Sequence, residues 1–175
     1  MQRWIGMGLA KTRAFRNAQG GRGLTTLRDL VGSGDRIGLL VLPFLIVGSA
    51  ANLWRPAVFS VGGPPAFLTV LSVVMLIPGV TIWLWSAALI LTRVPRGELI
   101  RTGPYALVKH PLYTAVALLV IPWAGFLLDT WLGVVIGAVL YLGSRHFSPL
   151  EERTLATQFG ADWEAYCRKV MLPWL

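Results

Sequence analysis

The sequence predicts an all-α integral membrane protein with four transmembrane helices, the last two forming a helical hairpin, plus cytoplasmic amphipathic C-terminal helices. Three observations predict this fold. Hydrophobic residues make up 55% of the 175 residues and charged residues only 14%, which is outside the range of ordinary soluble domains. Four long stretches contain no Asp, Glu, Lys or Arg, and the basic residues gather in the segments that four crossings bring to one side.

The predicted spans follow these stretches, at about residues 37–54, 66–92, 112–128 and 131–147, where the fourth is uncharged over residues 131–144 and continues past Arg145 to residue 147. The first two are long enough to cross a bilayer core of about 30 Å at a rise of about 1.5 Å per residue. The last two are shorter and are separated only by residues 128–131, which predicts a tight hairpin. Short spans are tolerated where flanking residues snorkel or the bilayer thins. A buried hairpin in a soluble protein is the weaker alternative.

The distribution of basic residues supports four crossings. Of the 16 Lys and Arg residues, seven precede the first span, four lie between the second and third spans, and four lie at or after the end of the fourth. Only Arg55 falls on the opposite side, so 15 of 16 share one face, as the positive-inside rule requires. Both termini are then cytoplasmic, and we expect a bacterial-type inner or plasma membrane.

The net charge of +8 fits anionic membrane lipids better than nucleic acid, because the basic residues follow the membrane topology. We therefore expect membrane lipids as partners and no nucleic acid. The single cysteine, Cys167, provides neither a disulfide nor a metal cluster. No metal is expected.

Residues 1–34 form a basic, glycine-punctuated segment without the apolar run of a cleavable signal peptide. We expect a cytoplasmic arm, followed by a membrane domain over residues 35–175. Trp4, Ile5 and Leu9, with Lys11, Arg13 and Arg16 after them, allow a short interfacial helix, and disorder is the alternative.

The spans themselves contain proline and small residues. Pro43, Pro78 and Pro122 lie inside the first three spans and predict kinks or simple packing variation. Gly133 and Gly137 form a G-x-x-x-G pattern that favours close helix packing.

Two short helices are predicted after the fourth span. Ser148 is the predicted N-cap of a helix that begins at Pro149, with Glu151 closing a capping box, and Gly160 ends that helix. Asp162 is the predicted cap of the second helix. Its Trp163, Tyr166 and Val170 share one face, which with residues 172–175 fits a tail lying in the membrane interface.

Two polar clusters are the candidates for chemistry. They are Tyr105, Lys109, His110 and Tyr113 before the third span, and Arg145, His146, Glu151 and Glu152 after the fourth. The third span begins where the fourth ends, so the hairpin brings both clusters to the same side of the membrane. We expect them to lie within a ligand's length of each other.

Pro111 disfavours helical geometry at His110 and suits a first helical position, so His110 is the predicted cap of the third helix. Free backbone N–H groups there attract an anion, which His110 or Lys109 would help to bind. A simple cap or interfacial hydrogen bond is the alternative for His110.

In the second cluster, Glu152 and Arg145 each have two interpretations, and Glu151 has a simple one. The capping box explains Glu151 by itself. Glu152 can pair with Arg145 or Arg153, or accept hydrogen bonds from a ribose or an ammonium group. Arg145 either snorkels to lipid headgroups or binds an anionic part of a substrate that enters from the bilayer.

The order of motifs resembles a known family. Gly103-Pro104-Tyr105, Lys109-His110-Pro111-Leu112-Tyr113, an apolar hairpin, Glu151-Glu152-x-x-Leu155, Phe159-Gly160 and Trp163-x-x-Tyr166 follow one another from about Glu98 to Tyr166. They resemble the C-terminal half of the isoprenylcysteine carboxyl methyltransferase and phospholipid methyltransferase superfamily. One departure is Lys109, where the family usually has an arginine, so a bidentate contact is in doubt.

The resemblance implies a membrane enzyme that binds S-adenosylmethionine on the cytoplasmic side and methylates a lipophilic or lipid-anchored acceptor. Residues 98–113 and 145–166 would enclose the cofactor, with Tyr105, Lys109, His110, Tyr113, Glu151 and Glu152 as its ligands. Arg145 and Glu152 are the expected catalytic residues. The acceptor is left open between a carboxylate, a thiol and an amine, and for an amine Glu152 or His110 is the candidate base.

Two alternatives to a methyltransferase stay open. Membrane sterol reductases resemble the same motifs and use NADPH, although they have many more than four spans. A non-catalytic membrane scaffold is the other alternative. An ion pathway is disfavoured because the spans contain no Asp, Glu, Lys or Arg up to Arg145.

Overall fold

A computed structural model describes residues 34–172 of the chain. The expected cytoplasmic arm, with Trp4, Ile5 and Leu9, and the last three residues of the expected interfacial tail lie outside this range. Within residues 34–172 the chain is helical and contains no strand, so the all-α prediction is confirmed there. The elements are α1 (Gly34–Trp54), α2 (Pro56–Phe59), α3 (Ala66–Arg93), a 3₁₀ turn (Val94–Arg96), α4 (Pro104–Leu107), α5 (Pro111–Ala115), a π-helical turn (Val116–Val120), α6 (Ile121–Leu127), α7 (Leu132–Phe159) and α8 (Ala161–Cys167).

Two helices are long and apolar enough to cross a membrane. They are α1, with 21 residues, and α3 together with the 3₁₀ turn, with 31 residues. Only 6% and 11% of their most apolar windows are buried by the rest of the protein. The core helix of a soluble protein would be largely buried, so this exposure fits helices that lipid covers. Both helices continue through their prolines, Pro43 and Pro78.

The helices α5 and α6, joined by the π-helical turn, pack antiparallel against α7 across the turn at residues 128–131. Glycines allow the close approach. A Cβ added at Gly133 would lie 2.5 Å from the carbonyl oxygen of Ile121, and one at Gly137 would meet the carbonyl oxygen of Ala117. The G-x-x-x-G pattern therefore marks a real helix contact, as predicted.

The π-helical turn Val116–Val120 stands immediately before Pro122 in the chain. Proline has no backbone N–H, so the regular ladder of hydrogen bonds cannot continue unchanged up to it. The widened turn packs against α3, where a Cβ on Gly79 would lie 2.7 Å from Cβ of Leu119. The predicted distortion at Pro122 thus takes the form of a π-helical turn.

The hairpin stands between the two long helices. Helix α1 packs on α7, and α3 packs on α5, the π-helical turn and α6. The buried core between α1 and the hairpin consists of Ile37, Val41, Ala117, Ile136 and Leu140.

The hairpin turn contacts the loop between α1 and α3. The Asp129 carboxylate accepts hydrogen bonds from the Ser60 hydroxyl (2.6 Å) and from the backbone N–H groups of Val61 (3.2 Å) and Gly63 (3.0 Å). The backbone N–H of Trp131 donates to the carbonyl oxygen of Phe59 (3.0 Å). Loop 55–65 and the turn 128–131 therefore lie at one end of the hairpin, which we call the turn end.

The predicted helix start at Ser148 is wrong. Helix α7 runs without a break from Leu132 to Phe159 and carries Pro149 in its interior. The buried Ser148 hydroxyl donates to the carbonyl oxygen of Ser144 (2.6 Å), one turn back, and caps nothing. An interior proline removes its own N–H from the ladder and crowds the carbonyl group one turn back. Packing on both sides of Pro149 holds α7 together despite this cost.

The predictions for the second short helix need two corrections. Gly160, with a φ of +52°, is the N-cap of α8, and Asp162 lies in its first turn, where it pairs with Arg101 (2.9 Å). The Trp163, Tyr166 and Val170 side chains are at most 6% exposed, and they pack against Leu99, Leu155, Phe159 and Cys167. Their shared face is therefore the core of a small C-terminal cluster and does not face a membrane interface.

Candidate functional site

The segment that leads to α5 is shaped by a glycine against a tryptophan. Gly103 has a φ of +63°, a backbone angle that residues other than glycine rarely adopt. A Cβ there would also lie 2.9 Å from the Trp85 indole. Glycine at this position lets Pro104 begin α4 directly against α3. The chain then turns toward Lys109 and His110.

His110 is the N-cap of α5, and Pro111 occupies the first helical position, as predicted. Its imidazole lies between two carboxylates of α7. Nδ1 is 3.4 Å from an oxygen of Glu151, and Nε2 is 3.5 Å from an oxygen of Glu152. The second contact is too poor for a hydrogen bond, and Nε2 is buried without a hydrogen-bond partner within residues 34–172.

Lys109 completes this cluster. Its Nζ lies 2.7 Å from Oε1 of Glu152, the same oxygen that faces His110. The two side chains of this pair are 15% and 29% exposed. A short, half-buried ion pair at the end of an apolar hairpin holds the Glu152 carboxylate toward α5. We call Lys109, His110, Glu151 and Glu152 the charged cluster, and we call their end of the hairpin the open end.

The charged cluster shifts the pKa values of its own members. Burial alone would lower the pKa of His110, but the Glu151 and Glu152 carboxylates outweigh it, and the pKa is raised above 6.5. The imidazole beside Glu152, with Lys109 on the same oxygen, lowers the pKa of the Glu152 carboxyl to about 2 against the opposing effect of burial. Glu152 is therefore ionised at neutral pH.

The structure changes the role of Glu151. The capping-box prediction assigned this residue to a helix start that does not exist, because α7 is continuous there. Its carboxylate instead faces His110 from the side opposite Glu152. Glu151 thus belongs to the charged cluster through His110, whereas Glu152 also lines the neighbouring cavity.

A narrow cavity of about 20 Å³ opens beside the charged cluster. Space of that size holds about one water molecule. Its lining combines three members of the cluster with polar side chains of α5 and α7. The lining residues are Lys109, His110, Thr114, Tyr141, Ser144, Arg145, Ser148 and Glu152.

Thr114, Tyr141, Ser144 and Ser148 were missed by the sequence-based reasoning. With Arg145 and Glu152, the three residues on α7 form a polar stripe that recurs every three or four residues, the spacing of one helix face. The stripe crosses Ser148 without interruption, so it becomes visible only when α7 is taken as one helix. Arg145 lines the cavity and is itself exposed.

The tyrosines take different positions around the cluster. The rings of Tyr113 and His110 lie with their centroids 6.5 Å apart, and Tyr113 also packs against the hairpin core. Tyr105 contributes its backbone carbonyl oxygen, which accepts a hydrogen bond from the buried Tyr166 hydroxyl (2.8 Å). Burial, with Tyr166 nearby, raises the pKa of the Tyr105 hydroxyl, which stays protonated at neutral pH. His146 lies outside the cavity lining.

The site residues thus come together from two segments 43 positions apart in the chain. Searches of protein-family models, of curated proteins and of solved structures find no match for this chain.

Proposed function

We propose that this chain is an integral membrane methyltransferase that transfers a methyl group from S-adenosylmethionine to a lipophilic or lipid-anchored acceptor at the cytoplasmic membrane face. In this proposal the chain crosses the membrane four times, and both termini are cytoplasmic. The observation that carries the proposal is the charged cluster, in which the His-Pro motif before α5 meets the Glu-Glu pair of α7.

Contacts at the turn end support four crossings. The loop between α1 and α3 and the turn between α6 and α7 touch each other through Asp129, Ser60 and Trp131. Both loops therefore sit on one side, which alternating spans require. The apolar helix from Pro111 to Leu127 has 17 residues, or about 25 Å at the α-helical rise, so a local thinning of the bilayer suffices.

The chemistry of the site fits a cofactor of this kind. S-adenosylmethionine has ribose hydroxyls and an ammonium group, which carboxylates bind, and a carboxylate, which a cation binds. Glu151 and Glu152 supply the first kind of partner, and Lys109 and the Nε2 atom of His110 supply the second. A nucleoside exceeds the enclosed volume of about 20 Å³. Lys109, the most flexible of these groups, must therefore move away from Glu152 when the cofactor binds.

When bound, S-adenosylmethionine would supply an electrophilic methyl group on a positively charged sulfur. The residues of this chain then have the tasks of binding, orientation and exclusion of water, because an in-line displacement needs little acid or base help. His110 lies between the two carboxylates of α7, of which that of Glu152 lines the cavity. The apolar hairpin shields the inner side of the site from water.

The low pKa of Glu152 favours an acceptor that is already anionic. Glu152, with a pKa of about 2, is a weak base, and the two carboxylates of α7 raise the pKa of His110 above its ordinary value. Glu152 is therefore poorly suited to take a proton from an ammonium group, which leaves His110 as the candidate base for an amine acceptor. A carboxylate or thiolate needs no such step, and Arg145 in the cavity lining would orient it.

The experiment is incubation of membranes that contain the protein with methyl-labelled S-adenosylmethionine, followed by separation into lipid, protein and small-molecule fractions. We expect label in a lipophilic fraction, released by base if the acceptor is a carboxylate. Membranes with Glu152→Gln are the test variant, and membranes with Glu164→Gln, an exposed carboxylate on α8, are the control. Label that is no higher than in membranes lacking the protein would overturn the proposal.

A further inference from the structure

A second cavity lies between α4, α8 and the chain that follows α8. Its volume is about 280 Å³, far larger than the cavity beside the charged cluster, and the two share no lining residue. The lining residues are Arg101, Ala106, Ala165, Tyr166, Lys169 and Val170.

Hydrogen bonds join the two walls of this second cavity to each other. The Tyr166 hydroxyl donates to the Tyr105 carbonyl oxygen (2.8 Å). The backbone N–H of Met171 donates to the Ala106 carbonyl oxygen (3.3 Å), and that of Leu172 to the Leu107 carbonyl oxygen (2.9 Å). Small side chains at positions 106 and 165 leave the space between these walls unfilled.

The charges on the rim are mainly positive. Arg101 pairs through one guanidinium nitrogen with Asp162 (2.9 Å), which leaves other donors of the planar group available. Lys169 has no ion pair within residues 34–172. The planar guanidinium of Arg101 and the ammonium of Lys169 suit a phosphate group. The apolar floor, which includes the Tyr166 ring, suits a less polar group attached to that phosphate.

We propose that this second cavity binds a phosphate group, held by Arg101 and Lys169. Phospholipid headgroups and soluble phosphate esters both offer such a group. The apolar floor and the exposed apolar helices α1 and α3 favour a phospholipid headgroup. The inference does not depend on methyl transfer, because it uses different residues and a different cavity.

The test measures binding to the purified full chain in a neutral detergent. The probes are short-chain phosphatidylglycerol, phosphatidylcholine with the same acyl chains, glycerol 3-phosphate and inorganic phosphate. The thermal shift and native mass spectrometry report affinity and stoichiometry. We expect saturable binding of one phosphatidylglycerol and weaker binding of phosphatidylcholine.

Two variants separate a built site from general attraction to a basic surface. Arg101→Gln with Lys169→Gln removes both cations and should weaken phosphatidylglycerol binding by about 10-fold or more, since a charge-assisted hydrogen bond is worth roughly that factor. Ala165→Leu fills the cavity without changing any charge and should weaken binding as well. Matched controls are Arg153→Gln and Ala156→Leu, both at exposed positions of α7.

The outcomes decide whether the phosphate group belongs to a phospholipid headgroup or to a soluble phosphate ester. Phosphatidylglycerol binding that both test variants lose and both controls keep supports a lipid headgroup site. Equal binding of glycerol 3-phosphate, with the same variant pattern, supports the phosphate site and assigns it to a soluble ester. Failure of every probe to saturate, or unchanged binding by Ala165→Leu, would overturn the proposal. Circular dichroism of each variant checks that the helices are retained.

Discussion

The two ends of the hairpin both hold a carboxylate across a chain separation of more than 40 residues, but they hold it in different ways. At the turn end, the Asp129 carboxylate accepts hydrogen bonds from one hydroxyl and two backbone N–H groups. At the open end, Glu152 contacts two basic side chains, those of Lys109 and His110.

This difference separates a structural carboxylate from one that can serve a ligand. Backbone donors are fixed by the loop that carries them, so Asp129 locks loop 55–65 to the hairpin turn, and the Ser60 hydroxyl with the N–H groups lowers the pKa of Asp129. The Lys109 side chain can move away from Glu152, and another cation can then bind the Glu152 carboxylate. The open end also leaves the buried Nε2 of His110 without a hydrogen bond and borders a cavity. Such an incomplete polar cluster points to a ligand.

The largest expected effect is on activity at the open end. Glu152→Gln removes the charge that Lys109 and His110 share, so we expect the rate of methyl transfer to fall about 10- to 150-fold, the worth of one charge-assisted hydrogen bond. Labelled methyl transfer in membranes measures this rate. Asp129→Asn at the turn end is the comparison and should keep the rate per folded molecule. A rate for Glu152→Gln within twofold of wild type would remove the distinction between the ends.

The second effect is on stability in the middle of the hairpin, which connects the two ends. Gly137→Ala puts a methyl group against the Ala117 carbonyl oxygen and should cost about 1–3 kcal/mol of unfolding free energy, as overpacking does. Unfolding in mixed detergents measures it. Gly38→Ala is the control, because that position has no neighbour within 4 Å. Equal stabilities of the two variants would contradict the close packing.

The third effect is a pH dependence that only the open end should show. Because the folded-state pKa of His110 is raised, its ion pairs stabilise the protein fully below the unfolded pKa of about 6.5, and this stability is lost as the pH rises through the folded value. The melting temperature should therefore fall as the pH rises above about 6.5.

Variants of the two histidines test this assignment. His110→Gln should flatten the alkaline loss of stability, whereas His146→Gln, at an exposed position, should leave it as in wild type. Stability at acid pH does not discriminate between the ends, since both Asp129 and Glu152 have a lowered pKa. A profile that His110→Gln leaves unchanged would show that another group titrates.

The smallest expected effect concerns the continuity of α7 at the open end. Ser148→Ala removes a hydroxyl that donates to the Ser144 carbonyl oxygen, a type of bond that adds little to helix stability. We expect a change in unfolding free energy below about 0.5 kcal/mol, against about 1 kcal/mol for the loss of a true N-cap. A loss of about 1 kcal/mol of unfolding free energy would indicate that Ser148 is an N-cap and would contradict a continuous α7.

Much of the site could be predicted from the sequence because two strong local signals combine. His110 followed by Pro111 marks a helix start, and the uncharged runs on either side of residues 128–131 mark a hairpin. Together they bring His110 to Glu152. Glu151 and the polar stripe of α7 were harder to find, because the pattern from Ser148 to Glu151 is a good capping box in isolation. Tertiary packing on both sides of Pro149 overrides that local preference.

Contacts between distant segments left no signal in the sequence. Nothing local pairs Arg101 with Asp162 or turns the aromatic face of α8 inward. The spacing of Trp163 and Tyr166 on one helix face fits a membrane interface as well as a protein core. Their packing against partners such as Leu99 and Leu155 shows that this face is part of a core.

The affinity for S-adenosylhomocysteine tests the difference between the two ends most directly. It is measured by thermal shift, in the same detergent, on wild type, Glu152→Gln, His110→Ala and Asp129→Asn. Wild type and Asp129→Asn should bind with similar affinity, although Asp129→Asn starts from a lower melting temperature. Glu152→Gln and His110→Ala should lose binding. Absence of binding to wild type at millimolar ligand, or equal binding by all four proteins, would contradict a cofactor site at the open end.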